Sequence, residues 1–165
     1  MKKIISIILA GIFISSCGIY SFTGASIPAN AKTVSVAYFT TTVTNLPSSL
    51  NQTITEGLKD LFLSQTSLDL TELESDLRFS GQITKYEINP MAIQANETAG
   101  KNRLTIAIKV NYNNSFDEKQ NFESTFSRYR DFNSSENLAD VETILIEEIT
   151  KELLEDVFNK AFVNW

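Results

Sequence analysis

Hydrophobic and polar residues along the chain predict a first strand, a later hairpin and two helices. Residues 32–39 (KTVSVAYF) are rich in β-branched and aromatic side chains, which is typical of a strand. Residues 103–112 predict the clearest strand, because apolar and polar side chains alternate along its whole length. A polar turn separates them from residues 120–132, which predict an antiparallel partner strand with Phe122 and Phe126 facing inward.

The strand predicted over residues 77–88 changes its apolar phase part-way along. Its apolar residues occupy odd positions up to Ile83 and even positions from Tyr86 onward. One extra residue in a strand produces such a switch. The sequence therefore predicts a β-bulge near Thr84 and Lys85.

Two segments carry apolar residues at helical spacing. The first is a helix of about seventeen residues after Pro47, and Ser49 and Gln52 have the spacing of a capping box at its start. The second covers residues 138–162, with Asn137 suited to the N-cap position. Each helix has one apolar stripe, so each is expected to pack against the sheet.

The order β-α-β-β-β-α indicates an α+β protein built as a two-layer α/β sandwich. The sheet is expected to have four strands, mixed and mostly antiparallel, with both helices on one face. The polar side of residues 103–112 would then lie on the opposite, solvent-exposed face. The whole chain has 165 residues, which fits a single domain, assigned to residues 32–165.

The N-terminus has the features of a bacterial secretion signal. Lys2 and Lys3 precede eleven mostly apolar residues, 4–14, which are too few to span a bilayer. The stretch ends in Ile-Ser-Ser-Cys, with the cysteine at position 17, and this resembles the lipobox of bacterial lipoproteins. In that motif the cysteine sulfur is lipidated and the peptide is cut just before it.

We therefore expect residues 1–16 to be a lipoprotein signal peptide and residues 17–31 to be a tether lipidated at Cys17, with palmitate among its acyl chains. The alternative is an ordinary signal peptide with an incidental cysteine. Gly18 stands where aspartate retains enterobacterial lipoproteins at the inner membrane, which favours the outer membrane. Several acyl chains together would give effectively permanent anchoring.

Composition excludes several classes of function. The chain has no histidine and one cysteine, so it lacks His-dependent nucleophile systems, imidazole metal sites and intramolecular disulfides. Its 14 basic and 20 acidic residues give a net charge of −6, which disfavours nucleic-acid binding. We find no phosphate-binding loop. Adjacent carboxylates such as Asp117-Glu118 and Glu147-Glu148 do not face each other on a helix or strand, and so are expected to be surface charge. We predict a protein that is not an enzyme and has no cofactor and no metal.

Basic residues concentrate in the predicted sheet of this acidic chain. Five of them are candidate contacts for a partner or an anionic lipid: Lys101, Arg103, Lys109, Arg128 and Arg130. Lys101, Arg103 and Lys109 have odd numbers, like the residues on the polar face of the predicted strand 103–112. The two arginines at 128 and 130 have the parity of Phe122 and Phe126, and would join that face only if a bulge intervenes. A merely solvated face is the alternative interpretation.

Several segments together resemble the LptE family in its short Bacteroidota form. They are the lipobox, residues 18–24 (GIYSFTG), the strand KTVSVAYF, residues 55–59 (TEGLK) and the order β-α-β-β-β-α. The resemblance implies an outer-membrane lipoprotein, facing the periplasm or the barrel lumen, that plugs the LptD β-barrel and helps it fold. It further implies help in delivering lipopolysaccharide to the outer leaflet, without catalysis.

The charge of the mature chain favours a scaffold role over direct lipid binding. Loss of Lys2 and Lys3 leaves 12 basic and 20 acidic residues, or 12 − 20 = −8, which is awkward for a binder of anionic lipid. The alternative function is an outer-membrane lipoprotein that binds peptidoglycan, a secretion channel or a soluble ligand in the periplasm.

Overall fold

The computed structural model describes residues 27–72, 74–91 and 100–163. The predicted signal peptide, the lipidation site at Cys17 and most of the predicted tether lie outside these ranges. In the described part of the chain, no helix combines the length and the apolar character needed to cross a bilayer.

Six strands and two helices follow one another along the described chain. The strands are β1 (Thr33–Val36), β2 (Thr40–Thr41), β3 (Asp69–Leu70), β4 (Leu77–Met91), β5 (Lys101–Asn114) and β6 (Phe122–Asn133). The helices are α1 (Leu50–Gln65), between β2 and β3, and α2 (Leu138–Phe162), after β6. A short 3-10 turn, Glu118–Gln120, connects β5 to β6.

The strands form one mixed sheet in the order β3-β1-β4-β5-β6, and β2 also pairs with β4. The strand β1 runs parallel to β3 and β4, whereas β4, β5 and β6 are antiparallel neighbours. This arrangement confirms the predicted mixed α+β architecture. The two-residue strands β2 and β3 were not predicted, because two residues are too few to produce a periodic pattern.

The bulge predicted in β4 is confirmed. The pairing of β4 with β5 shifts by one residue between Ile83 and Lys85, leaving Thr84 without a paired residue. Ile83 is fully buried and Tyr86 packs against the core, so both phases of the apolar pattern point to the same side. The bulge therefore lets a strand of 15 residues keep one apolar face.

Both helices pack on one face of the sheet and enclose an aromatic cluster. The ring centroids of Phe79 and Tyr112 lie 4.6 Å apart, and those of Phe62 and Phe79 lie 4.7 Å apart. Phe162 closes the cluster from α2, with its ring edge toward Tyr112. Each fully buried ring contributes about 1.5–3 kcal/mol of transfer free energy, so this cluster is a principal source of stability.

The two helices begin differently. The side chain of Asn137 accepts a hydrogen bond from the Ala139 N–H, which confirms it as the N-cap of α2. The predicted capping box of α1 is wrong, because the Ser49 side chain makes no capping hydrogen bond. Its backbone is already helical (φ −82°, ψ −15°), whereas a capping side chain needs an extended backbone.

Candidate functional site

The face of the sheet opposite the helices is uncovered in the described part of the chain, and we call it the open face. Alternation along β5 places Leu104, Ile106 and Ile108 in the core and turns their neighbours outward. The register brings outward side chains of β4 and β6 beside those of β5. The open face is therefore a polar surface built by three long antiparallel strands.

Arg103 lies on the open face, as its parity predicts, and its charge is already compensated. Its guanidinium forms two hydrogen bonds with the carboxylate of Asp131, at 2.7 and 2.9 Å. The same group lies 3.6 Å from the ring centroid of Tyr129. Hydrogen bonding from Arg103 lowers the pKa of the Asp131 carboxyl below its ordinary value, and Lys101 lowers it further.

Lys101 and Lys109 also lie on the open face, on the same strand as Arg103. The Nζ of Lys109 is 2.7 Å from a carboxylate oxygen of Glu123 on β6. Farther along the face, Lys85 pairs with Glu87 at 3.3 Å. Most of the positive charge predicted for this face therefore has a carboxylate beside it.

Arg128 and Arg130 lie on the helix side of the sheet. The pairing of β5 with β6 is continuous from Lys101–Asn133 to Tyr112–Phe122, so no bulge moves the two arginines to the other face. Of the five candidate contacts, Lys101, Arg103 and Lys109 therefore lie on the open face, as their parity predicts. The condition set for the other two, an intervening bulge, is not met.

The two helix-side arginines form ion pairs with the acidic helix. Arg128 holds both carboxylate oxygens of Asp156 at 2.7 Å, and Arg130 binds Glu148 at 2.8 Å and also Glu152. These contacts raise the pKa of the Arg130 guanidinium and lower that of the Glu152 carboxyl. The concentration of acidic residues in α2 thus serves to attach the helix to the edge strand β6.

Arg78, like Lys85, is a basic residue of the open face that is not among the five candidate contacts. In the described ranges it makes neither an ion pair nor a hydrogen bond. It lies opposite Asn113 on β5, beside a surface groove of about 470 Å³. The register pairs Arg78 with an uncharged residue, whereas Arg103 lies opposite Asp131.

No three His, Cys, Asp or Glu side chains among the described residues are arranged to hold a metal ion. The groups that the open face presents are hydrogen-bonding and charged side chains of β4, β5 and β6. Its geometry suits recognition of a polar partner or ligand.

The family model of LptE, described as lipopolysaccharide-assembly, matches residues 31–161 of the chain. The chain belongs to the LptE family. The match includes all six strands, all of α1 and all but the last residue of α2, and so the open face and the ion pairs of α2. No curated protein matches the chain in sequence.

Solved structures share the fold of this LptE family member at low sequence identity. A hypothetical protein from Chlamydia trachomatis is 8% identical with a TM-score of 0.55, covering 81% of this chain and 99% of that chain. A neuraminyllactose-binding hemagglutinin homolog from Helicobacter pylori is 9% identical with a TM-score of 0.52, covering 84% and 87% respectively. A protein from Xanthomonas campestris is 10% identical with a TM-score of 0.50, covering 81% and 87%.

As a member of the LptE family, the protein is a lipopolysaccharide-assembly protein. An assembly role depends on surfaces that contact partners, and the open face is a broad polar surface of the described fold.

Proposed function

We propose that the protein is an outer-membrane lipoprotein, anchored through lipid on Cys17, that plugs an LptD-like β-barrel. In this role it assists folding of the barrel and delivery of lipopolysaccharide to the outer leaflet. The observation that carries the proposal is a sheet with one face closed by helices and a polar face left open, in a chain of the LptE family. The lipobox in the sequence supports the anchor.

The charges of the open face suit a wet polar surface such as the inner wall of a barrel. Five basic and three acidic side chains lie on it: Arg78, Lys85, Lys101, Arg103, Lys109, Glu87, Glu123 and Asp131. Their sum, 5 − 3 = +2, contrasts with a net charge of −6 for the whole chain. The face can therefore approach a polar or moderately acidic wall without the repulsion that the acidic helix α2 would cause.

We propose Lys101, Arg103 and Lys109 as direct contacts to the barrel or to lipopolysaccharide. Arg128 and Arg130 are left out of this proposal, because their guanidinium groups already bind carboxylates of α2. A partner carboxylate or phosphate on the open face would compete with the Asp131 and Glu123 carboxylates for Arg103 and Lys109. Such exchange of ion pairs favours specificity over affinity.

A mild-detergent pull-down of the lipidated protein from its native membrane tests the partner. We expect one dominant LptD-like barrel, near one-to-one, identified by mass spectrometry. A Cys17→Ala variant should accumulate as uncut precursor and recover less of the barrel. Recovery of the wild-type protein without any barrel would overturn the plug role and favour a periplasmic binding lipoprotein.

Charge reversal tests the proposed contacts. The triple variant with Lys101, Arg103 and Lys109 changed to Glu should recover less barrel or lipopolysaccharide while remaining folded. The control reverses the same number of charges away from the open face, at Lys59, Lys119 and Lys151. Equal recovery from both triple variants would contradict a specific role for the open face.

A further inference from the structure

A groove of about 520 Å³ opens to solvent between α1 and α2, on the side of the sheet that the open face does not occupy. Gly57 of α1 has no side chain, and a Cβ there would lie 2.7 Å from the Leu154 side chain of α2. The half-buried Leu61 and the buried Leu154 give the groove an apolar wall. The two helices thus form an elongated hollow with an apolar interior.

Thr150 lines the groove and has an unsatisfied hydroxyl group. The residue is 4% exposed, yet among the described residues its Oγ1 has no hydrogen-bond partner. A threonine inside a helix commonly bonds to the carbonyl oxygen four residues earlier. A buried hydroxyl without a partner costs about 1–3 kcal/mol, which an occupant with backbone N–H and C=O groups would recover.

The charged residues at the rim of the groove disfavour an anionic occupant. Three of them are carboxylates, Asp60, Glu147 and Glu155, and one is an ammonium, Lys151. Such a rim repels acidic ligands and anionic lipid headgroups. The apolar wall and the unpartnered hydroxyl together favour an uncharged peptide segment with apolar side chains.

The chain enters the domain next to one end of this groove. The backbone N–H of Asp69 donates to the Lys32 carbonyl at 2.8 Å, which places the start of β1 beside β3. The strand β3 follows directly after the C-terminal end of α1. Ser64 and Gln65 at that end of α1 line the groove, so the residues before β1 arrive where the groove begins.

A turn directs the preceding residues back along the domain. The Ala31 N–H donates to the Pro28 carbonyl at 2.9 Å, and such a turn reverses the direction of the chain. Ile27, just before the turn, is half-buried and packs against the core. The residues before Ile27 are therefore directed opposite to β1, along the helices.

Residues 18–26 (GIYSFTGAS) lie outside the described ranges and have the composition that the groove favours. They include Ile19, Tyr20 and Phe22 and no charged residue. Fully extended, they span about 26 Å at about 3.3 Å per residue. The groove follows α1 from Thr53 to Gln65, about 18 Å at about 1.5 Å per residue. The segment is long enough to cover the whole groove.

We infer that residues 18–26 dock in the groove between α1 and α2. Their apolar side chains contact Leu61 and Leu154, and their backbone supplies a partner for the Thr150 hydroxyl. With lipid on Cys17, as proposed above, the anchor would leave the domain on the helix side, near the N-terminal end of α1. The tether would then leave the open face uncovered.

The docking itself depends on neither the lipid nor the barrel. It is measured on the isolated protein, whereas the proposed function is tested by recovery of a partner. Either result can therefore fail without the other.

Labelling of an engineered cysteine with a maleimide tests the docking in the purified full-length protein in mild detergent. Ser64→Cys places a thiol in the groove, and Leu63→Cys places the control thiol on the neighbouring residue of α1, 53% exposed and outside the lining. Each is combined with the wild-type segment and with a triple variant, Ile19→Ser, Tyr20→Ser and Phe22→Ser. The wild-type chain, whose one cysteine is Cys17, gives the background.

We expect the triple variant to increase the labelling rate of Ser64→Cys about tenfold, as loss of a docked state favoured by about 1.4 kcal/mol would do. The labelling rate of Leu63→Cys should be the same in both backgrounds. All variants should keep the wild-type circular dichroism spectrum, because the triple variant changes residues outside the folded domain.

Equal labelling of Ser64→Cys in both backgrounds would overturn the proposal. If that rate is as fast as for Leu63→Cys, the groove is open. If it is slow, another occupant covers the groove, such as Trp165 or a partner protein. Protection that weakens on dilution of the protein would also overturn it, because the segment would then come from a second copy of the chain.

Discussion

Consecutive residues of each strand lie on opposite faces of the sheet, and the two faces are stabilised by different interactions. On β4, Phe79 is 1% exposed in the aromatic cluster, while the next residue, Ser80, is exposed on the open face. On the helix side, burial of apolar side chains fixes where each residue must lie. On the open side, ion pairs and polar side chains leave the surface free to exchange partners, so changes there affect binding more than folding.

The largest expected difference in stability between the two faces comes from truncating two consecutive residues of β4, one on each face. Phe79→Ala should lower the free energy of unfolding by about 3–5 kcal/mol, because it empties the centre of the cluster. Ser80→Ala should change it by less than about 0.5 kcal/mol. Urea unfolding of each purified variant measures these two changes in the free energy of unfolding. Similar losses from the two would show that the open face is also buried, by a partner or by the chain itself.

Gly81, also on β4, tests how tightly the strand packs at a position without a side chain. A Cβ at this position would lie 2.5 Å from the Phe39 ring and 2.7 Å from the Lys109 carbonyl oxygen. Because a backbone atom cannot move aside cheaply, Gly81→Ala should cost about 1–3 kcal/mol in unfolding free energy.

Gly100→Ala is the matched control, since among the described residues its Cβ would meet only the Ser134 side chain, with the hydroxyl at 3.0 Å. Thermal unfolding should place the midpoint of Gly81→Ala clearly below that of Gly100→Ala. Equal midpoints would contradict tight packing between β4 and the Phe39 ring.

The helix side of the fold could be predicted from the sequence because burial leaves a periodic signal. The helix α2 has the predicted bounds, 138–162, and the bulge near Thr84 follows from the phase switch. The capping of α1 could not be predicted, because Ser49 has the right side chain but a helical backbone. The short strands β2 and β3 depend on contacts distant in sequence, which local patterns do not record.

The open side was harder to predict because charge pairs depend on register. Parity correctly places Lys101, Arg103 and Lys109 on one face, and separates Arg128 and Arg130 from them. Nothing local indicates that Asp131 lies beside Arg103, or that Arg78 faces an asparagine. Those neighbours are set by the antiparallel pairing of strands, which becomes visible only in the folded sheet.

The ion pairs on the two sides of the sheet should differ in their contribution to stability. Arg130→Gln should lower the unfolding free energy by about 1 kcal/mol, because it leaves Glu148 and Glu152 of α2 without their shared cation. Arg103→Gln leaves one carboxylate, Asp131, without its cation instead of two, so a smaller loss is expected. Urea unfolding at low ionic strength compares them, and added salt should reduce both effects.

The smallest expected effect is a difference in the acid sensitivity of the two sets of ion pairs. The folded protein lowers the pKa of the Glu152 carboxyl below its ordinary 4.5 through Arg130, and that of Asp131 below 3.8 through Arg103. A lowered folded pKa means that stability is present above the ordinary pKa and is lost as pH falls through the folded value. Removing either carboxylate should therefore flatten the acid side of the stability profile.

Thermal midpoints at pH 7 and at about pH 3 measure that flattening in Glu152→Gln and Asp131→Asn. Each variant should be less stable than the wild-type protein at pH 7 and should lose less stability on acidification. We expect the larger change for Glu152, because Arg130 binds it directly and Arg128 lies within 4.0 Å. If the thermal midpoints of wild type and Glu152→Gln fall equally on acidification, the ion pairs between α2 and β6 do not contribute to stability. Apolar packing alone would then hold the helix on the sheet.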